Sequence, residues 1–226
     1  MKKSITLYII GSLLGLVLIT NCEKEEFILI CDGDGNIYKS VVIGTQTWLT
    51  ENLKTTKYNN GVSIPLVTDN NKWSTSTTPA YCFYDNDSLT YKNAYGALYN
   101  WYTVETGLLC PDGYHVPTDA EWDTLLEYLG GQYEAGGRMK EIGTLHWEVP
   151  NTNATNKSGF SALPGGQRSK SGTFTGLKTC CRFWSSTNSS TSWVRDRSLF
   201  NNRTVVGSDG WDKRCGFSVR CIKDKT

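Results

Sequence analysis

Eight cysteines and two histidines are the residues best suited to chemistry in this 226-residue chain, and their spacing limits what that chemistry is. No two cysteines stand as Cys-x-x-Cys, so neither a zinc ribbon nor a thioredoxin-like redox pair is supported. Cys180 and Cys181 are adjacent, and soft thiolates side by side suit Cu(I). Adjacent cysteines more often reach out to two different partners, and either of them with Cys215 is one option. His115 and His146 each stand beside an aromatic residue and carry no signature of a His–Cys or His–Asp nucleophilic pair. Asp32-Gly33-Asp34-Gly35-Asn36 starts like a calcium loop, but its sixth position is Ile37 instead of Gly and its twelfth is Ile43 instead of Glu. A tight turn feeding a strand fits it better. The expectation is no catalytic residue, no metal site and no cofactor.

Recognition chemistry is concentrated elsewhere. Residues 186–212 are dense in Asn, Ser, Thr, Arg and Trp, with Trp193, Arg195, Arg197, Asn201, Asn202, Arg203 and Trp211 standing out. Trp and Arg anchor contacts, while Ser and Asn adapt their hydrogen bonds. These seven residues are the expected ligand-binding set. An ordinary polar hairpin with internal aromatic packing would have the same composition.

The N-terminus bears on location. Lys2 and Lys3 precede an apolar run over residues 5–19, which is shorter than the roughly 20 residues a spanning helix needs and has the length of a signal-peptide core. It ends at Leu18-Ile19-Thr20-Asn21-Cys22, where a bacterial lipoprotein signal places its lipid-accepting cysteine. The expected organisation is a signal peptide over residues 1–21, a tether lipidated at Cys22 over residues 22–31, and one domain over residues 32–223. Glu23-Lys24-Glu25-Glu26 resembles the acidic signal that carries lipoproteins of the Bacteroidetes to the outer face of the outer membrane. The membrane, reached through the lipid, is therefore one expected partner. Residues 1–21 hold Lys2, Lys3 and no acid, so 21 basic and 22 acidic residues remain after them. A near-neutral chain has no global attraction for nucleic acid.

The elements that must position these residues are partly legible. Residues 37–43 have strand composition, Gly44-Thr45 makes a turn, and residues 46–50 return, which predicts a hairpin. Tyr58-Asn59-Asn60-Gly61 is a further turn, and residues 62–91 read as polar and irregular. From Asn93 to Glu105, Ala94, Leu98, Trp101 and Tyr102 recur at helical spacing. A second helix starts at Thr118 with Glu121 three residues on, a capping box. It carries Trp122, Leu125, Leu126 and Leu129 on one stripe and stops at Gly130-Gly131. Short aromatic strands are expected at residues 159–163, 183–186 and 217–220.

Several phrases fit one pattern: Trp48-Leu49-Thr50-Glu51-Asn52-Leu53, Tyr95-Gly96-Ala97-Leu98-Tyr99-Asn100-Trp101-Tyr102, His115-Val116-Pro117-Thr118-Asp119-Ala120-Glu121-Trp122, Ala162-Leu163-Pro164-Gly165-Gly166, Trp184-Ser185-Ser186-Thr187 and Gly216-Phe217-Ser218-Val219-Arg220-Cys221. In these the chain closely resembles the Fibrobacter succinogenes major paralogous domain family of exported bacterial proteins, over roughly residues 32–223. That family is similar to the formylglycine-generating-enzyme-like branch of the C-type-lectin-like fold. The resemblance implies an α+β, C-type-lectin-like domain of two helices, a small antiparallel sheet and long irregular loops, with its two ends close together. It also implies a Cys110–Cys221 bridge.

Fold resemblance does not decide function. A formylglycine-generating-type oxidase would need a redox cysteine pair that binds copper, and Cys180-Cys181 lacks the spacing of that pair. Glu148-Val149-Pro150-Asn151 resembles the Glu-Pro-Asn sugar motif of calcium-dependent lectins, but an inserted Val breaks it. The expectation is a non-enzymatic, lipid-anchored surface protein whose segment 186–212 contacts a glycan or a protein. The alternatives are a structural envelope or fimbria-like subunit and, behind it, the oxidase.

Overall fold

In the computed structural model, which describes residues 29–188 and 193–225, the fold begins with a turn built on Asp32. Its carboxylate accepts the backbone N–H of Asp34 at 2.9 Å and of Asn36 at 3.0 Å, and the Tyr38 hydroxyl at 2.6 Å. Protein donors thus occupy the carboxylate, and the turn lets β1 (Ile30–Cys31) pair antiparallel with β2 (Ile37–Tyr38). The expected hairpin follows as β3 (Ser40–Ile43) and β4 (Gln46–Leu49), with Ile43 opposite Gln46 across Gly44-Thr45.

Residues 62–91 hold more regular structure than their composition predicts. Asp69 caps α1 (Asn70–Thr75) by accepting from Lys72 N, and Asp87 caps α2 (Ser88–Tyr95) by accepting from Thr90 N. Between them lies β5 (Tyr81–Cys82). The single helix expected over residues 93–105 is absent. Gly96 ends α2 with φ 75°, and a side chain there would meet Leu53 O at 2.6 Å, so only glycine lets the chain turn against that carbonyl. The apolar residues beyond it divide between β6 (Leu98–Tyr99), paired with β5, and α3 (Trp101–Val104), capped by Asn100.

β7 (Tyr114–His115) leads into α4 (Asp119–Tyr128), where Thr118 and Glu121 form the capping box in full. Gly130 and Gly131, both at positive φ, separate α4 from α5 (Gln132–Met139). The last third supplies β8 (Gly165–Arg168), β9 (Phe174–Leu177), β10 (Cys180–Trp184), β11 (Trp193–Phe200), β12 (Gly210–Asp212) and β13 (Ile222–Lys223). Residues 159–163 and 217–220 make only single bridges, Lys140 to Ala162, Tyr99 to Phe217 and Phe183 to Ser218.

Among the described residues there are thirteen strands in four sheets and five short α-helices. This overturns the expected C-type-lectin-like, two-helix α+β architecture. The domain is mostly β. Its larger sheet has the order β12-β11-β10-β8-β9, and a second has the order β3-β4-β13-β7. Ile222 of β13 stands opposite both Trp48 and His115, which joins the end of the domain to its first hairpin. Cys110 and Cys221 are bonded beside that junction.

Tryptophans fill the core. Trp48 and Trp122 lie 4.8 Å apart, with Phe160 and Phe183 around them, and Trp184 lies 4.2 Å from Phe217. Short elements leave many buried loop carbonyls without a sheet partner, and each unpaired one would cost about 1–3 kcal/mol. Buried cations satisfy them. Arg220, fully buried, donates to Leu49 O at 3.1 Å, to Phe160 O and to Asn52 Oδ1 at 2.8 Å, and stacks 4.4 Å over Phe160. Arg168 donates to Val67 O, Thr68 O and Gly172 O and lies 4.3 Å over Trp73. Lys140 places all three ammonium protons on the carbonyls of Thr152, Phe200 and Arg203. The motif residues Asn52 and Arg220, together with Arg168 and Lys140, are therefore struts between loops.

Candidate functional site

β11 alternates. Trp193 and Arg195 face solvent, while Val194 and Asp196 face the core. Trp193 is 55% exposed and lies over Gly210, 3.9 Å from where a side chain there would begin. Pairing with β12 sets Asp212 opposite Trp193 and Gly210 opposite Arg195. Asp212 holds Arg214 at 2.6 Å and Lys170 at 3.9 Å, and the Arg214 bonds keep its carboxyl below the ordinary range. Trp193 thus stands across a sheet edge from a carboxylate that holds two cations, and Arg195, two residues on along the same face, reaches Asp119 at 3.9 Å. The preceding loop is tied down at its start: Ser186 N donates to Pro117 O at 2.8 Å, and Thr187 Oγ1 accepts Asp119 N at 2.9 Å.

The seven residues expected to bind ligand do not converge. Arg197 points to the same side of β11 as Arg195, but α4 covers it. It is buried and paired with Asp119 at 3.0 Å and Asp123 at 2.8 Å. Trp211 turns inward, packing edge-on to Phe217 and beneath the Arg182 guanidinium at 4.3 Å. Both are structural. Asn201, Asn202 and Arg203 lie beyond the far end of β11, roughly 25 Å from Trp193 at the usual strand rise. There Asn201 donates to Val149 O, and Arg203 stacks 4.1 Å over Phe200. Of the seven, Trp193 and Arg195 share one exposed patch. The residues that complete it, Asp212, Arg214 and Lys170, are signalled in sequence only by the pairing of β11 with β12, which is not a local property.

Beneath the patch, Arg182 meets Asp196 at 2.5 Å. Burial pushes the Asp196 carboxyl up to about 6, against the pull of Arg182. This pair fixes β10 to β11 under the exposed face. On another side of the molecule, His115 lies between two carboxylates, Nδ1 at 2.6 Å from Asp224 and Nε2 at 3.0 Å from Glu121. Burial alone would lower its pKa, but the two acids outweigh that and raise it above the usual value. An imidazolium donates through both ring nitrogens, so this histidine is a clasp between α4 and the C-terminal strand.

Five thiols are free among the described residues. Cys180, Cys181 and Cys215 are unbonded, so the considered pairing with Cys215 is not formed. Burial raises the thiol pKa of Cys82 to about 12 and of Cys215 to about 11, and pushes up Cys180 and Cys181 as well. Such thiols stay protonated and are poor nucleophiles. Cys31 is the exposed one. Cys22, the expected lipid acceptor, lies outside the described residues. No helix among the described residues is long and apolar enough to cross a membrane.

The model of the Fibrobacter succinogenes major domain family matches residues 41–223. Comparison with curated proteins and with solved structures finds no match. The family match spans the β3–β4 hairpin, the α4 cap, the buried struts and β13, and the chain belongs to this family.

Proposed function

We propose that this member of the Fibrobacter succinogenes major domain family is a non-enzymatic recognition protein held at the outer membrane surface by lipid on Cys22, and that it contacts a glycan or protein through the Trp193 face. The observation that carries this reading is Trp193 itself, a half-exposed indole laid over Gly210, on the same strand face as exposed Arg195 and opposite Asp212 in the register. Aromatic and arginine side chains on a rigid support are the residue types that dominate binding energy. Cys180 and Cys181 are consecutive on β10, so their side chains point to opposite faces of the sheet, which weighs against a shared copper site and the oxidase alternative.

Array binding of the full-length protein to glycans and surface proteins, beside Trp193→Ala and Arg195→Ala variants, tests the reading. Loss of a wild-type signal in both variants supports it. An undiminished signal in both would overturn the assignment of this face. Labelling with radioactive palmitate, lost in Cys22→Ser, tests the anchor. A second reading, a structural envelope subunit, is favoured by exposed Cys31, whose thiol can bond a neighbouring chain. Reductant-sensitive oligomers abolished by Cys31→Ser would support it.

A further inference from the structure

A second concave surface lies away from the Trp193 face, between the β3–β4 hairpin, the α4–α5 junction and residues 153–158. It has a main cavity of about 470 Å³ and an adjoining lobe of about 130 Å³. The main cavity falls in the size range of small-ligand sites, roughly 300–1,000 Å³. Arg138 and Lys157 line both cavities. Both side chains are exposed, and among the described residues neither forms an ion pair. Arg138 is held in place by one bond, from Nη1 to Leu129 O at 2.9 Å, which leaves the rest of its guanidinium fork available. Tyr128, 64% exposed, and Val42, 69% exposed, give the main cavity an aromatic and an aliphatic wall. The smaller lobe is polar, lined by Asn153, Thr155, Thr204 and one acid, Glu134.

The walls are built to stay in place. Gly136 and Gly137 of α5 admit two other segments at backbone distance: a side chain at Gly137 would meet Asn153 O at 2.6 Å, and one at Gly136 would meet Thr204 O at 2.4 Å. Gly136 N donates to Thr204 O and Thr155 N to Gly137 O, so both segments are pinned to the helix. Asn153 and Asn156 hold φ of 52° and 46° in the same wall. Non-glycine residues adopt that conformation at a cost, and it persists where the surroundings enforce it.

We propose that this trough binds an acidic saccharide, with its carboxylate between Arg138 and Lys157, one sugar face against Tyr128 and Val42, and its hydroxyls toward Asn153, Thr155 and Thr204. Two cations without an ion-pair partner among the described residues call for an anion, and a planar guanidinium suits a carboxylate. The aromatic wall suits the apolar face of a sugar ring, and the polar lobe suits a ligand rich in hydroxyls better than a lipid tail. The inference is independent of the Trp193 face.

Titration calorimetry of the full-length protein with an oligogalacturonate, a neutral oligogalactan of equal length, inorganic phosphate and phosphatidylglycerol vesicles tests it. The expected result is binding of the oligogalacturonate at least tenfold tighter than of the other three. The Arg138→Gln/Lys157→Gln and Tyr128→Ala variants should each weaken it tenfold or more, and Leu89→Ala, at an exposed position of α2 outside both faces, should leave it unchanged. Equal affinity for the neutral oligomer, for phosphate or for the vesicles would overturn the proposal, as would no binding of the oligogalacturonate. Binding that is lost in Trp193→Ala yet intact in the double variant would also overturn it.

Discussion

Glu121 and His115 meet at 3.0 Å, and the same carboxylate closes the N-terminal cap of α4 by accepting from Thr118 N at 2.9 Å. A helix start and a sheet strand are thereby coupled through one titratable pair. The His115 pKa is raised in the fold, so its contribution is complete below the unfolded value near 6.5 and is lost as pH rises through the folded value. The Glu121 pKa is lowered, so its contribution is complete above the unfolded value near 4.5 and is lost as pH falls through the folded value. The pair therefore stabilises most between about pH 4.5 and 6.5. NMR titration of His115 should give a pKa above 6.5, and Glu121→Gln should lower it. His115→Gln should flatten the fall of Tm between pH 6 and 8. An unchanged fall would show that this pair is not its source.

Arg220 should be among the most sensitive positions in the domain. Replacing it by Met keeps much of the volume over Phe160 but leaves Leu49 O, Phe160 O and Asn52 Oδ1 without their donor. At about 1–3 kcal/mol for each buried group left unpaired, the loss should exceed about 3 kcal/mol. Urea unfolding measures it, and a loss below about 1 kcal/mol would contradict the role of a strut.

Signals local in the sequence survived the passage to the structure, and the long-range ones that did, the Cys110–Cys221 bridge and the joined ends, came from the family resemblance. The Thr118–Glu121 box and the Gly130-Gly131 stop act within a few residues, and so does the Gly44-Thr45 turn, so each was legible. The helix expected over residues 93–105 failed because its apolar spacing serves two elements. Leu98 pairs with Cys82, and Tyr99 bridges Phe217, 118 positions later in the chain. Asp69 and Asp87 are visible cap residues, but the helices they start carry no apolar stripe to reveal them. Exposure at Trp193 and burial at Arg197 could not be separated by composition, because only the packing of α4 across β11 distinguishes them.

Thiol chemistry should divide the cysteines cleanly. In the native oxidised protein Cys31 should react promptly with an aromatic disulfide reagent, while buried Cys82, Cys180, Cys181 and Cys215 react only on unfolding. Cys110 and Cys221 are separated by 111 positions. A loop of that length corresponds to about 4–5 kcal/mol in the chain-entropy model. The Cys110→Ser/Cys221→Ser variant should lose stability approaching that amount in denaturant titration. Prompt reaction of any of Cys82, Cys180, Cys181 and Cys215 in the folded oxidised protein would contradict the burial.

Substitutions along β11 should separate recognition from folding. Trp193→Ala and Arg195→Ala remove exposed groups and should change stability by less than about 1 kcal/mol. Arg197→Ala removes the partner of Asp119 and Asp123 from beneath α4. Its charged hydrogen bonds are worth about 1.5–3 kcal/mol each, so a loss of at least about 2 kcal/mol is expected. Arg197→Lys should recover only part of this, since one ammonium cannot span Asp119, Asp123 and Ser208 with the guanidinium's fixed geometry. Thermal melts of the four variants beside ligand binding read both quantities. If Arg197→Ala melted like wild type while Trp193→Ala collapsed, the division of β11 into a contact end and a structural middle would be wrong.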